Sequence, residues 1–288
     1  MKQRIKFEDG IELSTICRQM KLVSSDGKKQ ETCNKKQNPE VCIAGTTGYY
    51  GAKIIHFFNM QIFFNFFMKY EEYETALSKP RIGKYRLACR GDKNKALILY
   101  RYNIKLCQKF HGLLGVLEVV LRNAVNVHFK TQLNDNNWLV TQAQTGFLVN
   151  YQDIILKELN KLSNRNYSHD KLVASLSLGA WTFLFSRNCY KNSGKTLLRI
   201  FPNKTHGLNQ RFIYADLDKI RTFHNRIAHH EPLCFDSIGM INVDYVKDVF
   251  SLIIKYIDFL GYHSNELLYG VENPSKTIDR IEKLSKTL

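Results

Sequence analysis

No CxxC pair occurs in this chain, and its seven cysteines, an odd number, are scattered from Cys17 to Cys234. Such spacing suggests neither a zinc site nor a disulfide framework. Unpaired thiols fit a reducing compartment, so a cytoplasmic protein is expected. Met1 to Glu12 is charged and has no apolar core, so no cleavable leader is expected. Internal repeats and β-hairpin signals are also missing. The aromatic-rich run Ile54 to Phe67 has 14 residues and carries His56, Asn59, Gln61 and Asn65. It falls short of the ~20 residues a bilayer span needs. A membrane partner is therefore not expected, and an interfacial or packed segment is the alternative for that run.

Acids are scarce beside bases: 26 Asp and Glu against 42 Lys and Arg, a net charge of +16. A balance this basic suits a polyanion, nucleic acid before an anionic membrane. The plain alternative is lysine that only keeps the protein in solution. At 288 residues with 44% apolar content, there is material for a substantial core in one large domain or two small ones.

Two parts are expected. Residues 1–67 look unlike the rest: Ser24 to Glu40 is polar and lysine-rich with no helical period, which argues loop or disorder. Met68-Lys69-Tyr70-Glu71-Glu72-Tyr73 reads as a natural protein start. Residues 1–67 are thus expected to be a poorly structured extension or a misassigned start. They hold ten Lys/Arg and six acids, so most of the positive charge lies in residues 68–288.

From Met68 the pattern is helical almost throughout, and an all-α, multi-helix bundle is predicted. Ser78-Lys79-Pro80 should break a first short helix, and Gly91-Asp92 should end the next, with Asp92 as a cap. Lys93 to about Thr131 carries Leu106, Phe110, Leu113, Leu114, Leu117, Val120 and Leu121 at three- and four-residue spacing, although Gly112 and Gly115 are expected to loosen it. Further helices are expected over Asp153–Leu162, Asp170–Phe185, Asp216–Glu231 and Val243–Gly261, with a short one after Asn273-Pro274-Ser275.

The chemistry gathers at Asp216 to Pro232. Leu217, Ile220, Phe223 and Ile227 form a buried stripe, and Asn225, Arg226, His229 and His230 cluster near the C-terminal end. Asn225 with His229, and Arg226 with His230, are i,i+4 pairs. An imidazole near neutrality takes a ribose 2′-OH proton or protonates the leaving 5′ oxygen, and arginine grips phosphate. The plain alternative is a pair of histidines that cap or pack a helix end. A second candidate is Arg122, Asn123 and His128. Arg122 and His128 are six apart, roughly 120° around a helix, so they meet less readily than an i,i+4 pair. Glu118 and Arg122 are i,i+4 and form a simple pair on the plain reading.

At these residues the sequence resembles the Abi-like abortive-infection family, within the HEPN superfamily of helical ribonucleases. The resemblance spans about Met68 to Leu260. It is carried by three blocks: Tyr102–Leu106 with Leu117–Ala124, Leu176-Ser177-Leu178-Gly179-Ala180-Trp181, and Asn225-Arg226-Ile227-Ala228-His229-His230-Glu231-Pro232. It implies a metal-independent, cofactor-free, dimeric RNA nuclease whose motif is an Arg, a polar residue and, four to six positions on, a His. Carried over, the His is His229 and the polar residue Asn225. The Arg position holds His224, which is shorter and charged only part of the time. Arg221 or Arg226 would then supply the guanidinium, or activity would be lost. Arg122-Asn123 to His128 fits the motif spacing as written, yet the C-terminal site is expected to be the working one.

The resemblance thus implies an anti-phage endoribonuclease with RNA as substrate, a homodimer, and an antitoxin or regulatory RNA as a further partner. The rivals are a non-catalytic RNA-binding module and a membrane-associated effector that uses Ile54 to Phe67.

Overall fold

The computed structural model describes residues 68–163 and 166–288. The expectations for residues 1–67, the run Ile54 to Phe67 among them, lie outside the described residues. Helix α1 (Tyr70–Leu77) stops at Ser78, whose φ is +74°, and α2 (Lys79–Ala88) begins with Pro80 in its first turn. There a missing N–H costs nothing, because those donors have no helical partner. Arg90 and Gly91 take positive φ, and Asp92 Oδ1 then accepts the Lys95 N–H at 3.0 Å, opening α3 (Lys93–Leu133) as predicted.

Helix α3 is 41 residues long, about 60 Å at 1.5 Å per residue. The loosening expected at Gly112 and Gly115 does not occur. Leu106, Phe110, Leu113, Leu114, Leu117 and Leu121 are all buried, each worth ~1.5–3 kcal/mol, against ~1 kcal/mol lost per glycine. Gly112 has a packing role: a Cβ there would lie 3.2 Å from Val271 Cγ1.

After a loop closed by Asn134 in the left-handed region come α4 (Trp138–Thr145), a 3-10 turn (Val149–Tyr151) and α5 (Gln152–Ser163). The single helix expected over Asp170–Phe185 is two, α6 (His169–Ser175) and α7 (Leu178–Phe183). Leu176 and Ser177 are extended between them, and Leu176 O accepts the Trp181 indole N–H at 3.3 Å. Serine favours such a start over a helix interior. Leu172, Leu176, Trp181 and Phe185 are nonetheless all buried.

Next come α8 (Arg187–Asn192) and a 3-10 turn (Leu197–Ile200), then a break at Phe201-Pro202-Asn203. Helix α9 (Gln210–Ala228) starts six residues earlier than expected, because Asn209 caps it: Oδ1 accepts the N–H groups of Arg211 and Phe212. Helices α10 (Asp244–Phe259), α11 (Ser264–Leu267) and α12 (Ser275–Lys286) complete twelve α-helices among the described residues. The described residues contain no strand, only one isolated antiparallel bridge between Phe235 and Ile241. The fold is all-α, and among the described residues no helix is long and apolar enough to cross a membrane.

Helix α3 is the hub, touching α1, α2, α4, α6, α7, α9, α10 and α12. Phe110 of α3 meets Phe223 of α9 edge-on at 4.8 Å and Phe250 of α10 at 6.3 Å, and Phe223 also meets Tyr245 at 5.8 Å. Edge-to-face rings at these separations add to simple burial. That aromatic knot orients the last turns of α9.

Candidate active site at the end of helix α9

The stripe Leu217, Ile220, Phe223 and Ile227 is buried as predicted, but α9 does not run to Glu231. It ends at Ala228. His229 is the C-cap, and His230 adopts φ +56°. The His230 N–H bonds to Ile227 O at 3.0 Å and the Glu231 N–H to Arg226 O at 2.8 Å. This pair of bonds defines a Schellman turn, which satisfies carbonyls the helix leaves open. Glycine is the usual residue at the left-handed position, and here histidine occupies it.

Three side chains fasten the turn from below. Arg81 of α2 donates to His230 O, Arg226 to Pro232 O, and Asn103 Oδ1 of α3 accepts the Leu233 N–H at 2.7 Å. Arg226 also lies 3.5 Å from the Glu231 carboxylate and 5.6 Å from the centre of the Tyr245 ring. The guanidinium expected to position phosphate is thus engaged in holding the turn, for the physical reason that open helix-end carbonyls attract cations. His230 has left the helix, so its i,i+4 spacing from Arg226 no longer describes a helical pair.

The imidazoles of His229 and His230 and the amide of Asn225 are exposed. Neither ring has a hydrogen-bond partner among the described residues. The plain alternative holds for the backbone, since His229 and His230 close the helix end through their N–H groups, but it leaves the two exposed rings unused.

His224 points elsewhere. It is half-buried on the flank of α9 that meets α3 and α7, where it faces Glu118. Burial pushes the Glu118 carboxyl above the usual carboxylate range, while the charges of His224 and Arg122 and a hydrogen bond with the Leu178 backbone pull it back. The break before α7 is what brings that backbone N–H to Glu118. Two of the sequence blocks therefore meet here, at Glu118 and Leu178, beside His224, the residue just before the third. Arg221 lies alongside, its Cδ 3.7 Å from where a Gly179 Cβ would stand, and pairs with Asp218 at 2.8 Å.

The second candidate set is dispersed. Arg122 donates to Ala174 O at 3.4 Å and its Nε is buried without a partner, rather than forming a simple pair with Glu118. Asn123 is exposed. His128 Nε2 lies 3.0 Å from Thr196 Oγ1, and burial lowers the His128 pKa. The structure places Arg122 against the end of α6 and His128 against the 3-10 turn, with no bond between them.

Sequence reasoning missed Arg81, Glu118 and Asn103 in these roles. Asn103 had a signal, because it sits on the apolar stripe of α3 between Leu99 and Leu106, where a buried amide needs a partner. Arg81 had none. Among the described residues no three of His, Cys, Asp and Glu converge as metal ligands would. No family model, curated protein or solved structure matches this chain.

Proposed function

We propose that the chain is a metal-independent endoribonuclease of the Abi-like, HEPN kind, acting as a homodimer in anti-phage defence. The observation that carries this reading is a pair of exposed, unbonded imidazoles, His229 and His230, on a turn that Arg81, Arg226 and Asn103 hold rigid. Titratable groups on a fixed platform are what positioned acid–base catalysis needs. The sequence motif and the net charge of +16 support RNA as the substrate.

In this scheme His229 accepts the proton of a ribose 2′-OH. The 2′ oxygen bonds to the adjacent phosphorus, and the bond from phosphorus to the 5′ oxygen breaks. His230 protonates that 5′ oxygen, leaving a 2′,3′-cyclic phosphate and a 5′-OH. Asn225, one turn before His229, donates its amide to the phosphate. Arg226 acts beneath the site, through the turn.

Two observations favour a second reading, an RNA-binding module that does not cut. His224 stands where the resemblance calls for arginine, and Arg226 is engaged with Pro232 and Glu231. Incubating the purified protein with labelled total RNA in EDTA decides between them. The nuclease reading expects cleavage in EDTA by the wild type and none by His229→Ala. Cleavage that EDTA abolishes, or that survives the substitution, overturns the scheme. Binding without cleavage by both proteins selects the second reading.

A further inference from the structure

Between Asp170 and Asp216 the chain has 45 residues with no acid, and seven that are Lys or Arg. The segment comprises most of α6, then α7, α8, the following 3-10 turn and the start of α9. Its apolar residues face the core: Cys189, Leu197, Ile200 and Phe201 are buried. The cations are thereby turned outward. Arg187, Lys191, Lys195, Arg199 and Arg211 are exposed and Lys204 half-buried. None of these six enters an ion pair among the described residues, whereas Lys93, Lys109, Lys130, Lys161, Lys219, Lys247 and Lys255 each sit beside a carboxylate.

Local contacts bring four of these cations, Arg187, Lys191, Lys195 and Arg211, around one short helix, α8. Arg187 and Lys191 are i,i+4 on α8, the Tyr190 hydroxyl donates to Lys195 O, and Gln210 bonds to Phe185 O, which draws Arg211 towards the start of α8. Gln132 of α3 donates to Ser193 O and fixes the strip to the hub helix. The only large exposed hydrophobic on it is Phe212, 57% exposed. A membrane-binding face would present an apolar stripe beside its lysines. A strip of unpaired cations with almost no exposed apolar surface matches a chain of phosphates instead.

We infer that this strip, Arg187 to Arg211, is a docking track for the phosphate backbone of single-stranded RNA, separate from the histidine turn. The inference rests on the reading of RNA as the substrate. The track supplies affinity without sequence preference, because backbone contacts position a strand and do not read its bases. Each phosphate neutralised releases counterions, so binding weakens with salt by a slope of about −0.7 per contact on single strands.

The test uses the full chain and a labelled 30-nucleotide RNA of mixed sequence, with affinity measured by anisotropy between 50 and 200 mM salt. The track variant is Arg187→Gln, Lys191→Gln, Lys195→Gln and Arg199→Gln. A control removes four exposed cations of α12, through Lys276→Gln, Arg280→Gln, Lys283→Gln and Lys286→Gln. Circular dichroism verifies that both fold. The track variant is expected to bind at least about tenfold more weakly at low salt, with a salt slope shallower by about 3, and the control to stay near wild type. Equal losses in both variants, unchanged binding in the track variant, or no RNA binding by the wild type overturns the inference. So does a track variant that keeps RNA affinity and loses only its binding to phosphatidylserine vesicles. If wild type binds through the track and cuts nothing, the nuclease reading fails and the track stands.

Discussion

Asn103 and Leu233, 130 positions apart in sequence, are joined by one buried hydrogen bond of 2.7 Å, and it fixes where the chain goes after the histidine turn. Both residues are buried, so the Leu233 N–H has no water to fall back on. Asn103→Ala strands that donor, and unfolding should become easier by about 1–3 kcal/mol. Denaturant titration measures the loss, and amide exchange at Leu233 should accelerate. An unchanged exchange rate there would show that the bond does not hold the turn.

Arg226 and His229 should separate stability from chemistry. Arg226→Ala removes a cation from the Pro232 carbonyl and the face of Tyr245, and is expected to cost about 1–2 kcal/mol and to lower RNA cleavage with it. His229→Ala removes an exposed ring with no partner, and its melting temperature should stay at the wild-type value while cleavage disappears. Equal thermal losses in both variants would refute the division.

His230 pays a conformational penalty for its place. At φ +56° it holds a backbone shape that glycine adopts freely. His230→Gly should therefore melt at or above the wild-type temperature, and His230→Val well below it, since branching at Cβ is poorly tolerated there. Cleavage by the glycine variant should fall in spite of its better fold.

Acid should destabilise the protein before its carboxylates titrate. His169 is buried; its Nε2–H donates to Asn126 Oδ1 at 3.0 Å, while Nδ1 has no partner. Burial, and then the charge of Lys130, lower its pKa. The folded state thus binds this proton less well than the unfolded chain, and stability is lost as pH falls below about 6.5. Half-buried His128 adds in the same direction. Denaturation at pH 7 and pH 5 should show the loss, and His169→Gln, which keeps a donor for Asn126, should reduce it. A pH-independent wild type would contradict this account.

How much of this was legible depended on whether a feature is local. The breaks at Pro80 and Gly91, the Asp92 cap and the stripe from Leu217 to Ile227 follow from neighbouring residues and formed where expected, whereas Gly112 and Gly115 did not interrupt α3. The helix over Asp170–Phe185 was misread because its apolar spacing continues through Leu176 while the backbone does not. Helix α9 was placed too late at both ends for a related reason. An Asn cap at 209 and a left-handed His230 are decided by single residues, against a periodicity that suggests continuity. What Arg226 does could not be read at all. Its neighbours in sequence suggest a phosphate ligand, and its neighbours in space are a proline carbonyl and a tyrosine ring.

The 41-residue hub helix also sets an order of events during synthesis. Helix α3 is translated early, but much of its apolar face is covered by α9, α10 and α12, which emerge last. Lys95 donates to Thr287 O and Lys109 to Asn273 O, contacts that cannot exist until those residues are made. A nascent chain therefore carries a long unshielded apolar surface through most of its translation, the kind of surface that chaperones engage. For a protein proposed to cut RNA, the same delay is a safeguard. The histidine turn is assembled on α2, α3 and α10 together, so a nascent chain has no finished turn until α10 is made.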